Sequence, residues 1–502
     1  MASSQGGISR ERLEAPPGPI YTENVLRPSY DFMLEHYFEG LIETNKAWTV
    51  MLQESGIITA ATAKDLLNAV ATLAAAGRGG MGEFNPKYEY FYSTMEHYLT
   101  GQVGETISGE INIGRTRPEP LARLAIRDRL EMLLNLGLDL QKALLNVAER
   151  ERDTVIPMGT HMQHGQVATV GHYLLGTINQ LQRDSARLLA AYKTVNHCTL
   201  GCGALAGSSY AIDRERVAEL LGFEGLIDNT NDCVGAGDYA LEAASATANM
   251  MIGISRLCQD LYTWHTQEFG YLVIGDDYSG SSSLMPQKKN PYPFEYIRTQ
   301  AATAVGQMSG LFTVLHNTNF QDIKDVEEGL PPGLFQQLDE SSRSLRLLAG
   351  VLETVEFKPE TMRDQAARHF ATATELASVI HRATEHSYRT AHRIVGHLVL
   401  LAMKAGLQAD QVGIELVQQA ARDITGAEIS LDEAAVRGAL DPEAFVRAHN
   451  VRGGPAPQAM AEAIDRTKAM HQNISADVQA LTKRRTEAAT ALQSAVAGLR
   501  GE

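Results

Sequence analysis

An all-helical fold built around a bundle of long helices is predicted by three features of this 502-residue chain. Apolar residues recur at three-, four- and seven-residue steps, strand-like alternation is scarce, and the periodic stretches are separated by clusters of Gly, Pro, Asn and Asp. After Pro118 and Pro120, the residues Leu130, Leu133, Leu134, Leu138 and Leu145 mark one face of a first long helix. Comparable segments run over about 168–192, 239–264, 293–315 and 333–353. Those beginning at Tyr239 and Pro293 are poor in charge and rich in Ala, Met, Leu and Ile, so burial on most faces is expected, partly against other subunits. From about Lys358 the pattern changes to shorter helices broken at Gly406, Gly426, Gly438 and Gly453-Gly454. Beyond Pro457 an alanine-rich, mixed-charge segment reads as a solvated helix.

The expected division is an N-terminal helical domain over 1–117, a central long-helix domain over 118–365, a small helical domain over 366–457 and a helical extension over 458–502. With 44% apolar residues the chain can bury a large core. Acidic residues outnumber basic ones 60 to 44, a net charge of -16 that disfavours nucleic acid as a partner while leaving room for a local positive pocket. Cys198, Cys202, Cys233 and Cys258 are too few for a disulfide scaffold and read as reduced packing residues. The segment up to Arg27 lacks the apolar core of a signal peptide and no run could span a bilayer, so a cytoplasmic protein without a membrane partner is expected.

The stretch Gly280-Ser-Ser-Ser-Leu-Met-Pro-Gln-Lys-Lys-Asn290 concentrates hydroxyls, ammonium groups and a carboxamide. Ser281, Ser282 and Ser283 follow a glycine that frees the backbone, while Lys288 and Asn290 can hold a carboxylate by charge and hydrogen bonding. Composition alone makes this a solvated loop. A second cluster, Pro157-Met-Gly-Thr-His-Met-Gln-His-Gly-Gln166, precedes a long helical pattern. At a helix start, Thr160 and His161 would meet free N–H groups that favour a carboxylate, and His161 could exchange protons near neutral pH. His161, His164 and His172 invite a metal reading, but no His-Glu-x-x-His is present and His381, Glu385 and His386 have the wrong spacing for the inverted motif. Gly201-Cys-Gly-Ala-Leu-Ala-Gly207 has one residue too many for a dinucleotide fingerprint. A third cluster, Asn112-Ile-Gly-Arg-Thr-Arg117, sets two guanidinium groups and a hydroxyl around a glycine just before a helix.

The ordered pattern of the Ser282 loop closely resembles the signature Gly-Ser-Ser-x-Met-x-x-Lys-x-Asn of the fumarase, aspartase and argininosuccinate lyase superfamily, with Ser281 where the family has glycine. Gly203-Ala-Leu-Ala-Gly207, Ile212-Asp-Arg214, Asn229-Thr-Asn-Asp232, Tyr388-Arg-Thr-Ala-His-Arg-Ile-Val-Gly396 and Arg452-Gly-Gly-Pro-Ala456 resemble the argininosuccinate lyase branch more than the fumarase or adenylosuccinate lyase branches. The matches run from about Pro28 to Pro457. The resemblance implies a three-domain, all-α fold and a homotetramer in which long helices of four subunits form the core. Active sites would be assembled from three subunits.

By this resemblance Ser282 is the general base, and His161 and Glu295 match the family's histidine–glutamate pair. Thr160, Lys288 and Asn290 match contacts to substrate carboxylates, and Arg115 and Thr116 match Arg-Ser of the family's Gly-Arg-Ser-Arg-Asn-Asp. Asn112, Ser281, Ser283, Met285 and Gln166 complete the expected binding set. A serine is a poor base until positive charge and N–H donors stabilise its alkoxide, and Lys288 is well placed in sequence for that. Elimination across a carbon–nitrogen bond needs a base, a carboxylate clamp and a proton for the amine, so no metal or organic cofactor is expected.

Departures from argininosuccinate lyase fall on the side expected to hold the leaving group. Pro118-Glu119-Pro120 replaces family Asn-Asp-Gln, Asn112-Ile113 replaces His-Thr, and Gly235-Ala236-Gly237-Asp238 replaces Ser-Asp-Arg-Asp. The family pattern Tyr-Asn-x-Asp-Leu-Gln-Glu-Asp-Lys is only loosely echoed over Asn319 to Glu327, and no residue there is carried over. The resemblance therefore implies a lyase that releases fumarate from an N-substituted aspartate bearing an amine other than arginine. It is most like the lyases that act on ethylenediamine-N,N'-disuccinate. Argininosuccinate cleavage is the first alternative, and a crystallin-like structural role of the same fold is the alternative from another class.

Overall fold

The computed structural model describes residue 13 and residues 15–116 and 120–502. Arg117, Pro118 and Glu119, and with them most of the Pro-Glu-Pro departure, lie outside the described residues. Five long helices, Leu121–Arg150, Val170–Val195, Asp238–His265, Tyr292–Leu315 and Pro331–Thr354, occupy the centre, each packed against at least two of the others. The leucine face expected on the first of these is buried in their common core. Local chemistry sets the boundaries. Thr169 caps the Val170–Val195 helix by accepting the His172 N–H at 3.1 Å, and Asp213 caps Arg214–Leu220 by accepting from Arg216 at 2.9 Å.

The Asp238–His265 and Tyr292–Leu315 helices are not fully enclosed within one chain, the condition under which packing against other subunits was expected. Ile252, Tyr292, Tyr296 and Phe312 are exposed on them. A separate apolar cluster joins Leu376, Ile380, Ile394, Leu398, Val417 and Val436 from the helices Ala373–Ala383, Tyr388–Lys404, Ile414–Thr425 and Glu433–Leu440. Gly426, at φ 82°, ends a helix in the left-handed region that a side chain disfavours. Gly438 is a correction: it lies inside the Glu433–Leu440 helix and breaks nothing.

The last helix, Pro457–Arg500, has 44 residues, a length of about 66 Å. Ile464, Ile474, Val478, Leu492 and Val496 enter the main core, so one stripe of it is buried where a solvated helix was expected. It packs on the Leu121–Arg150 and Val170–Val195 helices and also on two early helices, Arg27–Glu54 and Ala60–Ala76. Arg485 pairs with Asp128 and Glu131, and Arg500 Nε donates to Asn68 Oδ1 at 2.8 Å. Among the described residues no helix is long and apolar enough to cross a membrane.

Candidate active site

The Ser282 loop is an excursion closed by two short strands, Gly280–Ser281 and Lys289–Asn290, in antiparallel register Gly280↔Asn290 and Ser281↔Lys289. Asn290 is 8% exposed and its amide donates to Gly280 O and to Tyr292 Oη, both at 3.3 Å. Lys289 pairs with Asp276, and that hydrogen bond holds the Asp276 carboxyl below its usual range. Within the loop, Ser282 Oγ accepts the backbone N–H of Met285 at 3.0 Å and of Leu284 at 3.4 Å. Two N–H dipoles therefore converge on Ser282 Oγ, an arrangement that would stabilise negative charge on that oxygen. Ser281, Ser283, Met285 and Lys288 are exposed around it. Glu295 stands in the first turn of the Tyr292–Leu315 helix and accepts from Tyr262 Oη at 3.1 Å, a bond that raises the Tyr262 hydroxyl above its usual range.

A glycine at 280 is required by close approach. A Cβ there would lie 2.0 Å from the Tyr292 ring. Gly280→Ala is expected to push that ring aside and release Asn290 from Tyr292, lowering turnover by about tenfold through loop misplacement. Thermal melting should move by only about 1–3 °C, because the loop is at the surface. Steady-state kinetics beside a melting curve check this, and an unchanged rate would mean that the Tyr292 contact does not set the loop.

Thr160 and His161 are not at a helix start. They lie at the tip of an antiparallel hairpin, Val155–Thr160 with Gln163–Thr169, and the helix begins only at Val170. The expected N–H cradle is thus replaced by a two-residue turn. His161 and Met162 take φ of 54° and 60°, the pattern of a type I′ turn that ordinarily selects Asn-Gly. Holding two such side chains in the left-handed region costs about 1–3 kcal/mol each, an expense associated with functional positions. His161 is presented to solvent and Met162 is 80% exposed. Register skips Gly165, a bulge that re-aims the tip. Gln166 Nε2 donates to Thr374 Oγ1 at 3.2 Å, tying the hairpin to the Ala373–Ala383 helix. His164 meets His369 edge-on at 5.1 Å, and burial, with the His369 charge, lowers its pKa. Among the described residues no group of three His, Cys, Asp or Glu is placed to hold a metal ion.

The third cluster follows a 3-10 turn, Gly109–Asn112. Asn112 accepts from Tyr92 Oη at 2.8 Å and donates to Glu96 at 2.6 Å. Arg115 donates to Asn45 Oδ1 at 3.0 Å and lies 5.0 Å from the Tyr92 ring centre and 5.9 Å from that of Trp48. Its Nε and Nη2 are buried without a partner among the described residues. An arginine so held keeps two N–H-bearing nitrogens that a carboxylate could accept from. Thr116 lines a cavity of about 410 Å³ together with Tyr37, Tyr90, Tyr92, Asp322, Lys324 and Glu327. A smaller space of about 70 Å³ adjoins it and adds Pro120, Cys233, Ala236 and Tyr239.

The three clusters thus sit on three separate elements, and among the described residues no hydrogen bond or ion pair links Ser282, His161 and Arg115 to one another. Sequence reasoning missed the residues 322–327 that face Thr116. Lys324 Nζ donates to Glu327 at 2.9 Å and to Glu328 at 2.6 Å. Burial pushes the Lys324 ammonium toward its neutral form, but the Glu328 and Glu327 carboxylates outweigh it and the net shift is upward. Burial pushes the Glu327 carboxyl up, against the opposing pull of Lys324. The helical spacing of Lys324 to Glu327 and Glu328 was the available signal.

A family model described as lyase matches residues 12–306, and a model of the argininosuccinate lyase C-terminal region matches residues 370–447. Argininosuccinate lyase of Methanosarcina acetivorans is 34% identical over 466 residues, covering 91% of this chain and 92% of that protein. Argininosuccinate lyase 1 of Shouchella clausii is 33% identical over 477 residues, covering 94% and 96%. Among solved structures, EDDS lyase in complex with formate is 30% identical with a TM-score of 0.86, covering 97% of each chain. Its fold, its signature loop and its full-length relatives agree: this chain belongs to the fumarase/aspartase superfamily of lyases, as a carbon–nitrogen lyase on the argininosuccinate lyase branch.

Proposed function

We propose that the enzyme eliminates an amine from an N-substituted aspartate to release fumarate, with Ser282 as base and ethylenediamine-N,N'-disuccinate as the preferred kind of substrate. The observation that carries the reading is the pair of N–H groups on Ser282 Oγ. Ser282 takes the proton from the carbon beside a carboxylate, and the electron pair left behind spreads into that carboxylate, where Lys288 and Asn290 supply positive charge and a donor. The carbon–nitrogen bond then breaks with the pair forming the fumarate double bond, and the amine takes up a proton. His161 with Glu295, together with Thr160, Arg115, Thr116 and Gln166, would complete each site from three subunits of a cytoplasmic homotetramer. The exposed apolar face of Ile252, Tyr296 and Phe312 supports such packing.

The choice of amine rests on where the departures gather. Pro120 and Ala236, from two segments that differ from the argininosuccinate lyase pattern, line the same small space as Thr116. Asn112, from a third, bonds Tyr92, which lines the adjoining cavity. The names of the full-length relatives favour argininosuccinate as the second reading. Ultraviolet detection of fumarate across a panel of N-substituted aspartates tests both. The highest kcat/KM is expected for ethylenediamine-N,N'-disuccinate; a higher value for argininosuccinate assigns the second reading, and no fumarate from any member refutes both.

A further inference from the structure

We infer that Tyr37 and Glu327 form the seat for the non-reacting ammonium group of a diamine leaving group. This rests on the amine-eliminating reading above. Tyr37 belongs to the Arg27–Glu54 helix and is 3% exposed, packed against Phe32 and Phe335. Its hydroxyl is buried with no hydrogen-bond partner among the described residues, yet the residue lines both spaces beside Thr116. A buried orphan hydroxyl is destabilising for the free protein, and phenylalanine would fill the same volume without that cost. An orphan oxygen kept on a residue that lines the cavity is explained by a donor that arrives with the substrate and reaches it as the side chains adjust.

The charge around the cavity identifies the donor. Two carboxylates, Asp322 and Glu327, line the larger space against one ammonium, Lys324, and that ammonium is already divided between Glu327 and Glu328. Arg123, which lines the smaller space, is committed to the carbonyls of Thr194 and Val195 and to the Tyr239 ring, 4.0 Å from its guanidinium carbon. Among the described residues lining the two spaces, each cation is thus already engaged, and the excess negative charge suits an ammonium. Ethylenediamine and its mono-succinyl derivative both carry such a group two carbons from the reacting nitrogen. Propylamine has the same shape without it.

The test is addition of ethylenediamine or propylamine to fumarate by the full-length wild type, Tyr37→Phe and Glu327→Gln, read as the ratio of kcat/KM for the two amines, with fumarate release from N-substituted aspartates run in parallel. The wild-type ratio should favour ethylenediamine by at least about tenfold, and each variant should bring it to within about threefold of one. Tyr37→Phe should melt at the wild-type temperature or above, since the lost hydroxyl bonds nothing among the described residues. Ratios unchanged in both variants overturn the seat while leaving the lyase reading intact, and a lowered melting temperature for Tyr37→Phe overturns it by giving the hydroxyl a structural partner. A wild type that releases fumarate from no N-substituted aspartate removes the lyase reading and the seat together.

Discussion

Replacing Ser282 with alanine is expected to lower fumarate release by about a thousandfold or more while leaving the fold intact. The loop contributes little to the core, since seven of the eight residues from Ser281 to Lys288 are exposed and Ser282 itself is only half-buried. A surface substitution of this kind changes stability by about 0.5 kcal/mol or less. The chemical loss is of another order, because the N–H groups of Leu284 and Met285 would then point at a methyl group, and the substrate proton would have no acceptor at that position. Absorbance assays of fumarate beside circular dichroism of the same preparation measure the two effects. Activity within tenfold of wild type would move the base elsewhere, with Ser281 and Ser283 the adjacent hydroxyls.

Mixing two dead enzymes should restore a live one. If the proposed homotetramer holds, His161→Asn and Ser282→Ala subunits, dissociated and reassembled in equal amounts, are expected to recover about a quarter of the wild-type activity. That fraction follows if each site draws His161 from one subunit and Ser282 from another, each intact copy being drawn with a chance of about one half. The geometry motivating the experiment is the separation of the two groups: His161 crowns a solvent-facing hairpin, and the Glu295 expected to pair with it is engaged with Tyr262 of its own chain. Reassembly verified by a size difference between tagged subunits, yet without activity, would exclude a shared site.

The long helices were readable because they obey one physical rule over many residues, an apolar face repeating at helical spacing, and their boundaries fell where Pro120, Thr169 and similar residues stand. The hairpin carrying Thr160 and His161 was not readable. Its turn is His-Met at positive φ, with no Asn or Gly to announce it, and its second strand opens on Gln163, His164 and Gly165, which have little preference for strands. Motifs were also readable without disclosing their work. Asp213 and Arg214, matched as part of a family signature, cap a helix and bind the carbonyls of Leu200 and Ile227, and Asn229 accepts the N–H groups of Asn231 and Asp232. The Asp322–Glu327 wall of the cavity escaped for the opposite reason, since it carries charged chemistry on a pattern with only a loose echo of the family.

The last helix bears on how the protein is made. Arg500 reaches back to Asn68, and Leu492 and Val496 complete a core begun by the Arg27–Glu54 and Ala60–Ala76 helices. The early helices pack on each other and on the Leu121–Arg150 helix, but the strip of their surface that the Pro457–Arg500 helix buries stays uncovered while the helices between are made. Closing the core then requires contacts across more than 400 positions of chain, as the 432-residue separation of Asn68 and Arg500 records, and contacts so distant in sequence form slowly. Until that strip is covered, the growing polypeptide carries an apolar seam whose native partner lies far along the chain.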